Sequence, residues 1–417
     1  MKLKYVLISL LLTVALAASP VMAKKKSKKQ VDALHTLASL PKASMIMEEN
    51  GKILISKRAD VPRVPASTMK LLTALAAIER WGLKHRFHTD FYVDKRKRLW
   101  IKGYGDPFMV SEEMDLVVAA LKAKGLNKIN GIVLDGSYYA PTLDIDGRSQ
   151  TDNPYDAPVT ALAVNFNTAA IKKTKKGKVV KSEKHTPLTP ISIALTREKM
   201  RKAGNWRVNL GTEKRSQRYY GELILAKLKL QGVKVNGEIT TGKINRHWKP
   251  YYIHENSRDL EKVLKSMLYT SSNFIANQLF LQLAGSDANG RPITMEMASR
   301  SMMKWTKNRF QWNDYNILEG SGLSRGTKLS ARQMMQVVKA FTSYRFLLRT
   351  FRKGKVMAKT GTLKGVSCYA GFVNRNGKWQ PFSVFINQSV GGNLRKDAAL
   401  QMTSHKKLPS ICDDPRC

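Results

Sequence analysis

The sequence predicts a mixed α/β (α+β) fold in which the two ends of the chain build one domain around an inserted region. Three observations predict it. Strand-like runs lie near both ends, at 43–57 and again at 356–388. Apolar residues at helical spacing follow the first run, at 67–80, and precede the second, from 260 to 343. Between about 85 and 254, short strands alternate with turns instead. A length of 417 residues allows two or three domains, and a hydrophobic content of 43% suffices for a buried core. The expected organisation is a targeting segment at 1–23, one discontinuous domain from 24–84 and 255–417, and an insertion at 85–254 whose size suits one or two small domains.

Each element has a local reason. Residues 43–49 and 52–57 flank Asn50-Gly51, the pair that best fits a two-residue hairpin turn. The Pro-broken stretch Val61-Pro62-Arg63-Val64-Pro65-Ala66 is an extended approach to the first long helix. Met69, Leu71, Leu72, Leu75, Ala76 and Ile78 give that helix a buried face, and Trp81-Gly82 ends it. In the insertion, 89–93, 99–102 and 129–135 read as strands and 109–124 as an amphipathic helix. Gly103-Tyr104-Gly105-Asp106-Pro107 and Asp135-Gly136-Ser137 read as turns. The very basic stretch 172–184 is an exposed hairpin or loop. A helix at 222–231 is closed by Gly232 and followed by strand-like 233–241. Helices return at 260–268, 273–284, 293–309 and 330–343, and the chain closes with strands at 356–359, 366–373 and 381–388.

The N-terminus has the anatomy of a secretory signal. Lys2 and Lys4 precede an apolar run at 5–18, and Val21-Met22-Ala23 supplies small residues for cleavage after Ala23. The run falls short of the roughly 20 residues that span a bilayer, which disfavours an uncleaved anchor. The expectation is a soluble protein exported to the periplasm. Of the three cysteines, Cys412 and Cys417 are near enough in sequence to close a small loop, whereas Cys368 sits in a predicted strand as a buried thiol. The net charge of +41 is spread along the chain and attracts polyanions. For an exported protein these are anionic lipid head groups, lipopolysaccharide or cell-wall carboxylates; export argues against nucleic acid. The run Lys24-Lys25-Lys26-Ser27-Lys28-Lys29 fits peripheral contact with an anionic membrane, or simply a solvated tail.

Three short strings, in order, carry the chemistry: Ser67-Thr68-Met69-Lys70, Ser271-Ser272-Asn273 and Lys359-Thr360-Gly361. They are the parts of a serine acyl-transfer site whose base is lysine. Residues i and i+3 share a helix face, so a lysine one turn after a serine reaches its hydroxyl. The helix N-terminus favours negative charge developing there. Lys70 works as a base only if it is partly neutral, and burial beside another cation, here Lys359, lowers its pKa. The plain alternative is an N-cap serine followed by a surface lysine. Ser271 and Asn273 lie where a loop meets a helix, placed to relay a proton and to bond a substrate amide; helix capping by Ser271 or Ser272 is the alternative. Lys359 and Thr360, at the end of a predicted strand, suit a substrate carboxylate, and Gly361 allows its backbone to come close. There is no H-E-x-x-H pattern, no G-x-S-x-G elbow and no P-loop, so neither a metal nor a cofactor is implied.

These strings resemble those of the penicillin-binding proteins and serine β-lactamases. The resemblance is best to the class C low-molecular-mass group, the D-alanyl-D-alanine carboxypeptidase/endopeptidases of the penicillin-binding protein 4 type. The long gap from Ser67 to Ser271 fits that group, as do Gly320-Ser321-Gly322-Leu323-Ser324-Arg325, Tyr155-Asp156-Ala157-Pro158 and Ala163-Val164-Asn165-Phe166-Asn167. The resemblance spans nearly all of the chain after residue 23 and is weakest over 174–249.

It implies a serine β-lactamase/DD-transpeptidase-like catalytic domain with inserted smaller α/β and β domains. It also implies that Ser67 attacks the peptide carbonyl before a terminal D-alanine, that Lys70 takes its proton, and that Ser271 and Asn273 assist. Lys359 and Thr360 hold the terminal carboxylate, and the N–H groups of Ser67 and Thr362 form an oxyanion hole. Arg325 matches an arginine that contacts the diamino acid of the stem peptide; Lys364 and Asp152 are further candidates for substrate contact. Ser272 stands where relatives often have aspartate, at a position that faces away from the cleft. The implied partners are peptidoglycan peptides, with β-lactams as covalent inhibitors. Two other readings stay open at this level: a β-lactamase on the same scaffold, or a non-catalytic envelope-binding protein.

Overall fold

Strands from both ends of the chain meet in one sheet. The computed structural model describes residues 32–417 except Arg246, Ser286, Asp287 and Asn289. The targeting segment predicted at 1–23 and the basic run at 24–29 lie outside the described residues. Among those residues the sheet has seven strands, in the order Thr350–Phe351, Val356–Leu363, Val366–Arg375, Lys378–Ile386, Ala43–Glu49, Lys52–Lys57 and Ile411–Cys412. All neighbours are antiparallel except the last pair. Asn50 and Gly51 take positive φ, 49° and 86°, which is what a tight I′ hairpin turn demands.

The sheet is covered on both faces, and strand alternation shows how. Cys368, Ala370 and Phe372 belong to a core with the helices Met69–Trp81, Leu260–Thr270, Asn273–Leu283 and Ala331–Ala340. Tyr369 and Val373 join a second core under Ala33–Ser39 and Leu394–Met402. Cys368 is a buried free thiol, and Cys412 is bonded to Cys417.

Among the described residues, those between the helix Met69–Trp81 and Leu260 build three further sheets, one of them only the parallel pair Lys128–Ile129 and Lys234–Val235. The largest, of five strands, runs Ile239–Thr241, Ile132–Asp135, Leu99–Gly103, Arg86–Val93, Tyr252–Asp259 and buries its own core with the helices Ser111–Ala123 and Glu213–Leu230. The third, of three strands, holds Val179–Val180, Thr168–Lys173 and Gly204–Asn209, so the lysine-rich stretch is a hairpin. Among the described residues no helix is long and apolar enough to cross a membrane.

Several boundaries differ from the sequence reading. The run expected at 129–135 breaks at Asn130-Gly131, and 233–241 breaks beside Gly237. The four pieces pair in parallel, two by two: Lys128–Ile129 with Lys234–Val235, and Ile132–Asp135 with Ile239–Thr241. The helix expected at 222–231 begins at Glu213, where Thr212 caps it by accepting from the Arg215 amide. The Lys359 strand does not end at the Lys-Thr-Gly string but continues to Leu363, paired with Val366–Arg375 throughout.

Candidate active site

The nucleophile candidate is positioned by a strained turn. Ala66–Thr68 forms a single 3-10 turn that feeds the helix Met69–Trp81, so Ser67 stands just before the α-helix rather than in it. The Thr68 hydroxyl donates to the Pro65 carbonyl at 2.7 Å and pins the turn. Ala66 sits at φ 46°, a left-handed conformation that costs a non-glycine residue on the order of 1–3 kcal/mol. Two glycines press against this turn. A Cβ on Gly322 (φ 82°) would lie 1.9 Å from the Ala66 carbonyl oxygen, and one on Gly361 would lie 2.9 Å from both the Pro65 oxygen and the Ser67 nitrogen. Gly361 is therefore needed for the approach of the strand to the Ser67 turn, not only for a substrate backbone as its sequence context suggested.

One helical turn on, Lys70 is fully buried, at 0% exposure. Its Nζ lies 2.9 Å from Ser67 Oγ, 2.8 Å from Asn273 Oδ1 and 2.7 Å from the Ser321 carbonyl oxygen. The last two are acceptors only. A neutral amine spends its two N–H bonds on them and turns its lone pair to the Ser67 hydroxyl. Burial drives the Lys70 pKa well below the usual lysine range; the Lys359 cation adds to this, and Glu319 partly opposes it.

Asn273 is fixed from two sides. Its oxygen holds Lys70 and its Nδ2 donates to the Tyr155 carbonyl at 3.3 Å, because it opens the helix Asn273–Leu283 from a buried position. Ser271 lies not in an open loop but in the tight joint between Leu260–Thr270 and that helix, at φ 59°. Its Oγ accepts from Lys359 Nζ at 2.8 Å, while Ser272 caps the next helix through the Ile275 amide. Lys359 Nζ also donates to the Thr360 carbonyl at 2.8 Å. Burial, assisted by the nearby Arg395, lowers the Lys359 pKa to about 8. The structure thus joins Ser67, Lys70 and Asn273 in one hydrogen-bonded group and Ser271 with Lys359 in a second.

Two charged residues at the site were missed in the sequence. Glu319, at 0% exposure, accepts from the Ser321 amide and hydroxyl at 2.7 and 2.6 Å and from the Gly322 amide at 2.6 Å. It shapes the loop that gives Lys70 its carbonyl partner. A carboxylate just before Gly320-Ser321-Gly322 was the available signal. Arg395, on Leu394–Met402, reaches the back of the Lys359 strand and donates to the Gly361 carbonyl, to the Cys368 carbonyl at 3.0 Å and to Thr362 Oγ1 at 2.9 Å. A lone arginine in a polar helix carries no such signal.

No hydrogen bond or ion pair among the described residues joins the remaining candidates Arg325, Lys364 and Asp152 to the Ser67 group. Arg325 and Lys364 are exposed and meet each other: the Arg325 guanidinium donates to the Lys364 carbonyl at 2.6 Å. Asp152 pairs with Lys199 at 3.0 Å, with its side chain 58% exposed.

Comparison with known proteins gives a consistent picture. Residues 28–207, 205–351 and 342–407 match the D-Ala-D-Ala carboxypeptidase 3 (S13) family. Relatives include a D-alanyl-D-alanine carboxypeptidase of Actinomadura sp. (strain R39), 23% identical with 82% of this chain and 76% of that one covered. Another is the D-alanyl-D-alanine carboxypeptidase DacB of Haemophilus influenzae, 24% identical over 79% and 81%. Among solved structures, penicillin binding protein 4 from Haemophilus influenzae superposes with a TM-score of 0.73 at 19% identity, covering 91% of this chain and 99% of that one. The mixed α/β fold is that of penicillin-binding protein 4. Family matches along nearly the whole described length place this chain in the D-Ala-D-Ala carboxypeptidase 3 (S13) family.

Proposed function

We propose that the protein is a serine-type D-Ala-D-Ala carboxypeptidase and DD-endopeptidase of the periplasm, acting on peptidoglycan stem peptides through an acyl-enzyme. The observation that carries this reading is the Lys70 amine, held between two obligate acceptors with Ser67 Oγ as its third neighbour. Lys70 takes the Ser67 proton as Oγ bonds to the carbonyl carbon before the terminal D-alanine. The N–H groups of Ser67 and Thr362 receive the oxyanion. The C–N bond then breaks, and the D-alanine amine leaves with the proton that Lys70 returns. Water repeats the sequence on the ester and frees Ser67.

Lys359, as a cation, holds the substrate carboxylate with the Thr360 and Thr362 hydroxyls, and Ser271 orients that ammonium. Arg325 and Lys364 meet the more distant part of the stem peptide, and Asp152 lies at its far edge. Residues 24–84 and 255–417 carry the chemistry, and 85–254 is the insertion that borders it through Tyr155. β-Lactams acylate the same serine; the solved relatives include a penicillin binding protein 4 complexed with a β-lactam. Cleavage after Ala23 delivers the chain to the periplasm.

Incubation with purified muropeptides, followed by mass spectrometry, tests the reading. Loss of terminal D-alanine and conversion of dimers to monomers are the expected products. A penicillin adduct on Ser67 that is absent in Ser67→Ala is expected beside them. Muropeptides that stay intact, with no adduct, overturn it.

A further inference from the structure

The insertion carries a cationic feature that peptide hydrolysis does not use. At one end of the five-stranded sheet, the turn at 94–98 and the segment bearing Trp248 and Lys249 flank an open hollow of about 600 Å³. Lys95, Arg96, Arg98 and Lys249 line it, with Tyr92 and Trp248. Lys95, Arg96, Lys97 and Lys249 are exposed, and no ion pair among the described residues joins an acid to any of the four.

The turn is held far more firmly than a solvated loop requires. Asp94 accepts from the amides of Arg96 and Arg98 at 2.9 and 2.8 Å, from Arg98 Nε at 2.7 Å and from the Trp100 indole at 2.9 Å. The single acid is thus spent inside the turn. Asn130 secures the outside, donating its side-chain amide to the Arg96 carbonyl at 3.0 Å and its backbone N–H to the Lys97 carbonyl at 2.8 Å. Trp100 carries the Arg98 guanidinium over its face at 5.2 Å and meets Trp248 edge-on at 5.3 Å. Trp248 keeps 38% of its surface exposed beside the cations. A rigid turn presents its charges with little ordering left to do on binding.

We propose that this face docks on a lipid surface bearing anionic phosphate headgroups, with Lys95, Arg96 and Lys249 against the phosphates and Trp248 at the headgroup boundary. The chemistry favours a surface over a free anion. The donors are splayed around an open hollow and lie in water, whereas a single phosphate calls for converging, buried donors. An exposed, braced indole next to cations is the side-chain pair that settles at a membrane interface. A net charge of +41 draws the whole chain toward such a surface, and this turn gives it an orientation. The proposal does not depend on which bond the active site cuts.

Flotation of the chain from Lys24 onward tests it, with vesicles of phosphatidylcholine containing phosphatidylglycerol and with pure phosphatidylcholine. Each cation near an anionic surface is worth roughly fivefold in partitioning, so Lys95→Gln/Arg96→Gln/Lys249→Gln should weaken binding to the anionic vesicles roughly 100-fold. A second triple, Lys175→Gln/Lys176→Gln/Lys178→Gln in the lysine-rich hairpin, removes the same charge elsewhere and should change it less than about threefold. Trp248→Ala should weaken partitioning alone, and circular-dichroism melting of all variants reports that they are folded. Equal losses in the two triples overturn the proposal, because bulk charge then explains the binding. So does wild-type protein that ignores anionic vesicles, or that binds a DNA duplex through the same residues instead.

Discussion

Replacing Asn273 with aspartate leaves the side-chain shape almost unchanged and sets a carboxylate where Lys70 Nζ now meets an amide oxygen at 2.8 Å. Opposite unit charges at that separation attract by about 6 kcal/mol at an effective dielectric of 20. Roughly half of this is consumed by burying the new carboxylate. The remaining attraction, about 3 kcal/mol, raises the Lys70 pKa by about 2 units. In the proposed mechanism Lys70 must be neutral to take the Ser67 proton, so its depressed pKa should give wild-type acylation an acid limb: the rate should climb as pH rises through that pKa and be lost below it. Asn273→Asp should shift this limb about 2 pH units upward, and at any pH below the wild-type limb the rate should fall about 100-fold. Stopped-flow acylation of Ser67 by a fluorescent penicillin, measured across pH, reads both numbers. An acid limb that stays in place, with rates within a few-fold of wild type, would show that Lys70 does not deprotonate Ser67.

Three further outcomes follow from the geometry. Lys359 is a cation below a pKa of about 8 and neutral above it, so kcat/KM for a D-Ala-D-Ala peptide should decline as pH rises through that value, chiefly in KM; Lys359→Gln should abolish the decline along with most of the activity. In Gly361→Ala the new methyl meets backbone atoms of the Ser67 turn, and such overpacking costs about 1–3 kcal/mol; a lower melting temperature should accompany at least a tenfold loss of acylation. Arg395→Met withdraws the donor from two carbonyls and the Thr362 hydroxyl and removes a cation that depresses Lys359; the alkaline limb should move to higher pH while thermal stability drops by about 3 kcal/mol or more.

The chemistry was written locally where a single turn or helix decides it. Lys70 follows Ser67 by one turn, and any helix begun there brings the two within reach. Asn50-Gly51 selects its hairpin because few other pairs tolerate two successive positive φ values. The interrupted strands at 128–135 and 234–241 were harder, since each bend makes sense only beside its parallel partner. Short polar helices such as Leu394–Met402 show weak periodicity, and they form because the sheet offers them a face.

By itself the sequence determined which groups are available: two serine hydroxyls, two amines and a carboxamide, and the order in which the chain delivers them. Only tertiary structure decided which of them touch. It set Asn273 rather than Ser271 on Lys70, turned Gly361 toward the Ser67 turn, and enlisted Glu319 and Arg395, which no motif had marked. The physical reason is that burial and long-range hydrogen bonds, not residue type, decide where a proton rests. Both arise when helices more than 200 positions apart pack against one sheet, with Lys70 and Asn273 separated by 203 residues in sequence.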